Sequence, residues 1–107
     1  MRMVVGAETL QIRKADRFFS RFRGLMLKRS MDENSGLLLI PCSSIHMFFM
    51  RFPIDAVYLD RHFSVLGKET LSPWQIGGRH KGTYAVLELS AGKAETIRTG
   101  DVLSLQP

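Results

Sequence analysis

The apolar residues of this chain come in short runs, and turn-forming residues close each run. Gly36-Leu37-Leu38-Leu39-Ile40 ends at Pro41, residues 54–59 end at Asp60-Arg61-His62, and residues 63–71 end at Ser72-Pro73. Runs of this length favour buried strands over helices, which need about ten residues or more. Proline cannot donate to a sheet ladder, so Pro41 and Pro53 mark places where strands stop. The runs 54–59 and 63–71, joined by the Asp60 turn, predict a β-hairpin. Residues 9–13 alternate apolar and polar, as a half-buried strand does. Residues 45–49, 83–89 and 102–105 read as further strands, and residues 91–98 as a short helix. Residues 72–82, with Pro73, Gly77, Gly78 and Gly82, form the substantial loop.

One segment has the helical period instead. Phe18, Phe19, Phe22, Leu25 and Met26 recur at i, i+1, i+4, i+7 and i+8, which is a single stripe. Asp16 is a suitable N-cap. Residues 16–29 are therefore expected to form an amphipathic helix, with Arg17, Arg21 and Lys28 on another face and Arg23 nearby. Residues 1–30 hold eight cations and two anions, while residues 31–107 hold seven cations and eight anions. The formal charge of +5 thus belongs to this segment. The fold class expected is mainly β (α+β). Many short strands with turn signals and one amphipathic helix make a compact single domain over residues 1–107.

Several function classes fall away. A single cysteine excludes an intramolecular disulfide and a cysteine-based zinc site. His46, His62 and His80 lack metal-ligand spacing, so neither a metal nor another cofactor is implied. The N-terminal apolar stretch breaks at Glu8, short of a signal-peptide core. The uncharged stretch through residues 35–50 is shorter than the roughly 20 residues a membrane helix needs. A cytoplasmic, monomeric protein without membrane insertion is the expectation.

The motifs in combination resemble a known family. Phe22-Arg23-Gly24-Leu25-Met26 is followed by Cys42 to Asp60, which contains Met50-Arg51-Phe52-Pro53-Ile54-Asp55, then by Val86-Leu87-Glu88-Leu89-Ser90-Ala91-Gly92 and Gly100-Asp101. Across about residues 9–105 this resembles the DUF192 (UPF0127) family of small bacterial and archaeal proteins. The resemblance implies a curved sheet or partly open barrel with a packed helix, and a bacterial source. It implies no activity and no catalytic set. Ala56 and Ser90 stand where the family pattern more often has Val and Pro.

The residues themselves offer three chemistries. Cys42, His46 and Asp55 have the types of a nucleophilic triad. Four residues along a strand span about 13 Å, however, which separates Cys42 from His46. A thiol enzyme or hydrolase on Cys42 and His46 is therefore an alternative, and a packed thiol is the plainer reading. The basic face of 16–29 gives a second alternative, binding nucleic acid or an anionic surface. The leading reading is a non-enzymatic binding module for a small molecule or peptide. Its cleft would lie between residues 46–55 and loop 72–82, lined by His46, Arg51, Asp55, Trp74, Arg79 and Glu88. Asp55, just after Pro53, has the plainer role of fixing a turn through backbone N–H groups. Glu88 shares a strand face with Val86, and if buried it becomes a site candidate.

Overall fold

The structure is a computed structural model that describes residues 1–5, 8–15 and 30–106. The expected helix over 16–29, with Arg17, Arg21, Arg23 and Lys28, lies outside the described residues. Seven strands form one sheet: β1 (Arg2–Val5), β2 (Glu8–Ala15), β3 (Ser35–Leu39), β4 (Ile54–Leu59), β5 (Val65–Leu71), β6 (Ala85–Ser90) and β7 (Leu105–Gln106). Their order across the sheet is β5-β4-β6-β3-β2-β1-β7. The pairings are antiparallel except for β2 with β3, which run parallel.

The short apolar runs became the central strands. Every residue of β4 is buried, as are Gly36 to Leu39 of β3 and Ala85 to Leu89 of β6. A strand covered on both faces needs apolar residues at nearly every position, so its sequence does not alternate. Pairing register sorts these side chains. Leu38, Val57 and Leu87 belong to one core with Met3, Leu10 and Ile12, while Leu37, Ile54, Tyr58 and Val86 belong to a second. The sheet separates the two.

Each core has its own cap. Ala94 and Ile97, from the turn after β6, close the first. Residues 91–98 are not the short helix expected. They form successive tight turns, with Lys93 N–H to Ser90 O at 3.0 Å, Glu95 N–H to Gly92 O at 3.3 Å and Ile97 N–H to Ala94 O at 3.0 Å. Ile45, Met47 and Met50 close the second core. Residues 45–49 are not a strand either. His46 makes one isolated bridge to Ile76, and the chain then turns, with Met50 N–H bonded to Met47 O at 3.2 Å.

The sheet remains open. The C-terminal segment leaves β5, where Ser64 bridges Val102, and reaches β1 through β7. Gly100 N–H to Val65 O (2.8 Å) and Leu103 N–H to Phe63 O (2.9 Å) belong to this crossing. These contacts touch only the start of β5, and β7 has two residues, so no continuous ladder closes a barrel.

Candidate functional site

The second cap carries the exposed chemistry. Segments 45–47 and 74–77 are joined backbone to backbone. Met47 N–H donates to Gln75 O (2.6 Å), Trp74 N–H to Met47 O (2.7 Å) and Gly77 N–H to Ile45 O (3.0 Å). The sequence reading set a cleft between these stretches. They are instead zipped together, and their outward side chains form one surface. His46 stacks on Phe48 at 4.5 Å between ring centroids, Phe48 lies 5.9 Å from Trp74, and Phe49 lies 5.0 Å from Trp74. The rings meet water: Phe49 is 50% exposed and Trp74 59%, and Ile76 beside them is 71% exposed.

Two of these exposed rings stand on left-handed backbone. Phe49 has φ of 65° and Trp74 has φ of 70°. L-residues in this region meet a steric cost of roughly 1–2 kcal/mol, and bulky side chains are rare there. A close approach secures the loop beneath. A Cβ on Gly77 would lie 2.5 Å from the Tyr58 hydroxyl and 3.0 Å from Ile45 Cγ1, so only glycine fits without displacement.

Tyr58 anchors a buried polar group below the loop. Its hydroxyl donates to Glu69 Oε2 at 2.5 Å, and the same oxygen accepts Gly78 N–H at 2.7 Å. His80 stacks on the Tyr58 ring at 4.3 Å, and its buried Nδ1 has no hydrogen-bond partner among the described residues. Burial, then the bond to Glu69 and the nearby acidic groups, pushes the Tyr58 phenol well above its ordinary value. The phenol therefore stays protonated as a donor.

The sequence-predicted residues divide. His46 and Trp74 belong to the aromatic surface, and Arg51 and Arg79 are exposed close to it in the chain. Asp55 does not join them. It is buried on the opposite face, where Oδ2 accepts Gly92 N–H (2.9 Å) and Ala94 N–H (3.0 Å) and Oδ1 accepts the Thr70 hydroxyl (2.7 Å). Lys68 Nζ donates to Ala94 O (2.7 Å) and Glu95 O (3.0 Å) of the same turn. The turn is thus held at both its N–H and C=O groups, beside an open cleft of about 330 Å³. Glu88 is buried in the second core, between Ala56 and Leu37 in the sheet. Burial pushes its carboxyl up from 4.5 to about 7.

Cys42 lies at the edge of the second core, and its Sγ donates to Ser44 O at 3.2 Å. His46 Nδ1 accepts Phe48 N–H at 3.2 Å. Both bonds are local and orient neither group toward the other. Among the described residues, no group of three or more His, Cys, Asp or Glu converges to hold a metal. No helix among them is long and apolar enough to cross a membrane.

Sequence reasoning missed Phe48, Phe49 and Ile76 as surface residues, and missed the Tyr58–Glu69–His80 group. The density of Phe and Met over 47–50 was the available signal. Nothing in it shows which residues turn outward.

The DUF192 family profile, described as an uncharacterized ACR, matches residues 2–105. The chain belongs to the DUF192 family. A UPF0127 protein of Thermococcus kodakarensis is 32% identical over 104 residues, 91% of this chain and 66% of the relative. One of Thermococcus sibiricus is 37% identical over 90 residues, 78% of this chain and 57% of the relative. The DUF192 chain thus spans less than two thirds of these relatives' length, 66% of one and 57% of the other. Both are archaeal, so the bacterial source expected above is not singled out. Among solved structures, a candidate transcription regulator of Sinorhizobium meliloti superposes with a TM-score of 0.80 at 22% identity, over 96% of this chain and 89% of that one. A protein of unknown function from Novosphingobium aromaticivorans gives 0.79 at 19%, over 97% and 82%. At such identity the likeness establishes the fold alone.

Proposed function

We propose that this DUF192 chain is a non-enzymatic binding module, and that the surface of His46, Phe48, Phe49, Trp74 and Ile76 recognises a polypeptide. The observation that carries this reading is the exposure of Phe49 and Trp74, both on left-handed backbone. Strain held at bulky residues is a feature from which function is inferred. Covering each ring releases about 2–4 kcal/mol, which makes them anchors of the kind that dominate protein interfaces. A small molecule is the poorer occupant. Small ligands are held in concave sites that bury most of their surface, whereas Phe49, Trp74 and Ile76 are half exposed or more.

The test is to pan a library of random short peptides, displayed on phage, on the intact chain and on the double variant Phe49→Ser, Trp74→Ser. Both residues are exposed, so the variant keeps its fold, which circular dichroism checks. Peptides enriched on the parent and lost on the variant support the reading. Equal enrichment on both proteins, or none on either, refutes it.

A further inference from the structure

We infer that the partner segment is acidic as well as apolar: an extended polypeptide in which Asp or Glu flank the aromatic or aliphatic residues that cover the ledge. This rests on the reading of the aromatic surface as a polypeptide-binding site and adds the partner's charge to it. Residues 42–53 and 72–83, which build the ledge and its surroundings, contain Arg51, Arg79 and Lys81 and no Asp or Glu. All three cations are exposed. Over residues 31–107 as a whole the anions outnumber the cations, eight to seven, so the all-cationic character of these two stretches is local. The acid brought up to the loop from β5 is Glu69, and its Oε2 already accepts both the Tyr58 hydroxyl and Gly78 N–H.

Charge complementarity selects among occupants. A second copy of the chain would set one cationic ledge against another, and like charges across an interface oppose association. A single-stranded nucleic acid would meet the cations and stack on the rings. Ile76, more exposed than any ring here at 71%, offers a base no aromatic face, whereas it suits an apolar side chain. An acidic peptide with apolar residues uses every exposed group: rings and Ile76 for its apolar side chains, and Arg51, Arg79 and Lys81 for its carboxylates. Exposed ion pairs are individually weak and salt-sensitive, so three together give roughly a tenfold gain in affinity at low salt.

The chain's one tryptophan, Trp74, is inside the ledge and reports binding directly by its fluorescence. The probes are a synthetic peptide alternating Glu or Asp with Phe or Leu, the same peptide with Gln and Asn replacing the acids, and an oligothymidylate. The acidic peptide is expected to shift Trp74 emission to the blue and to bind roughly tenfold tighter than the neutral one in low salt. That advantage is expected to vanish in high salt, and also in the triple variant Arg51→Gln, Arg79→Gln, Lys81→Gln. Equal binding of the acidic and neutral peptides overturns the charge inference and leaves the polypeptide reading standing. Tighter binding of the oligothymidylate overturns both in favour of nucleic acid. A Trp74 spectrum that no probe alters refutes the ledge as a binding surface.

Discussion

Glu88→Gln tests how the second core tolerates a carboxylate. Glu88 is 8% exposed, and its strand partners Leu37 and Ala56 belong to the apolar second core. Its carboxyl rises from 4.5 to about 7 because burial penalises the charged form. Below about pH 4.5 the group is protonated in both folded and unfolded chains, so it does not bias folding. Between about 4.5 and 7 the unfolded chain ionises while the folded chain keeps its proton. Stability must therefore fall as pH rises through that window, and it levels off above the folded value. Each tenfold change in the proton equilibrium is worth about 1.4 kcal/mol, so the whole fall is about 3 kcal/mol. The glutamine variant has nothing to ionise at this position and loses this dependence. Asp60, held low by the Ser64 and His62 N–H groups, acts oppositely in more acidic solution, but it is common to both proteins and cancels in their difference. Urea unfolding at about pH 5 and about pH 8, followed by circular dichroism, measures that difference. The variant should gain about 2.5 kcal/mol on the parent between the two pH values, because part of the fall has already occurred at pH 5. Parallel losses in both proteins would show that Glu88 ionises as freely in the folded chain as in the unfolded one.

Other consequences are local. Asp55→Ala orphans the buried Ala94 N–H, the part-buried Gly92 N–H and the Thr70 hydroxyl, and should cost about 2–4 kcal/mol in chemical denaturation; under 1 kcal/mol would mean the 91–98 turn is held elsewhere. Gly77→Ala drives a methyl to 2.5 Å from the Tyr58 hydroxyl and should cost about 2 kcal/mol or more, read as a lower thermal midpoint. Trp74→Gly removes an exposed ring and relieves a left-handed backbone, so stability should stay within about 1 kcal/mol of the parent. A loss above about 2 kcal/mol would place Trp74 in the core instead.

Much of the sheet was legible because its central strands are covered on both faces, which forces unbroken apolar runs such as Leu37-Leu38-Leu39 and Ala56-Val57-Tyr58-Leu59. That Asp55 accepts backbone N–H groups was legible, but not that they come from Gly92 and Ala94, far along the chain. β1 was not. Arg2-Met3-Val4-Val5 has no turn signal before it, and only its pairing with β2 and β7 makes it a strand. Residues 45–49 misled for a different reason. Period two puts His46, Phe48 and Met50 on one face, but the Met47–Met50 turn buries Met47 and Met50 together and turns Phe49 out. That turn uses φ of 65° at a phenylalanine, where no glycine or asparagine announces it.

The two caps make the case for recognition by their contrast. The 91–98 turn seals the first core economically. It inserts the small Ala94 and the aliphatic Ile97, and Asp55 and Lys68 bind its backbone from opposite ends. The 45–50 cap seals the second core with Ile45, Met47 and Met50, and leaves its larger aromatic side chains turned outward. If sealing were its only task, this would be the wrong way round. Aromatic rings bury more area than methionine and stabilise a core more when inside, and here Phe49 stays half exposed on left-handed backbone. Methionine, flexible and polarisable, fills an irregular core without demanding a particular shape. Such an assignment frees the rings for a partner, and supports reading the ledge as the working surface of the DUF192 chain rather than as a by-product of its fold.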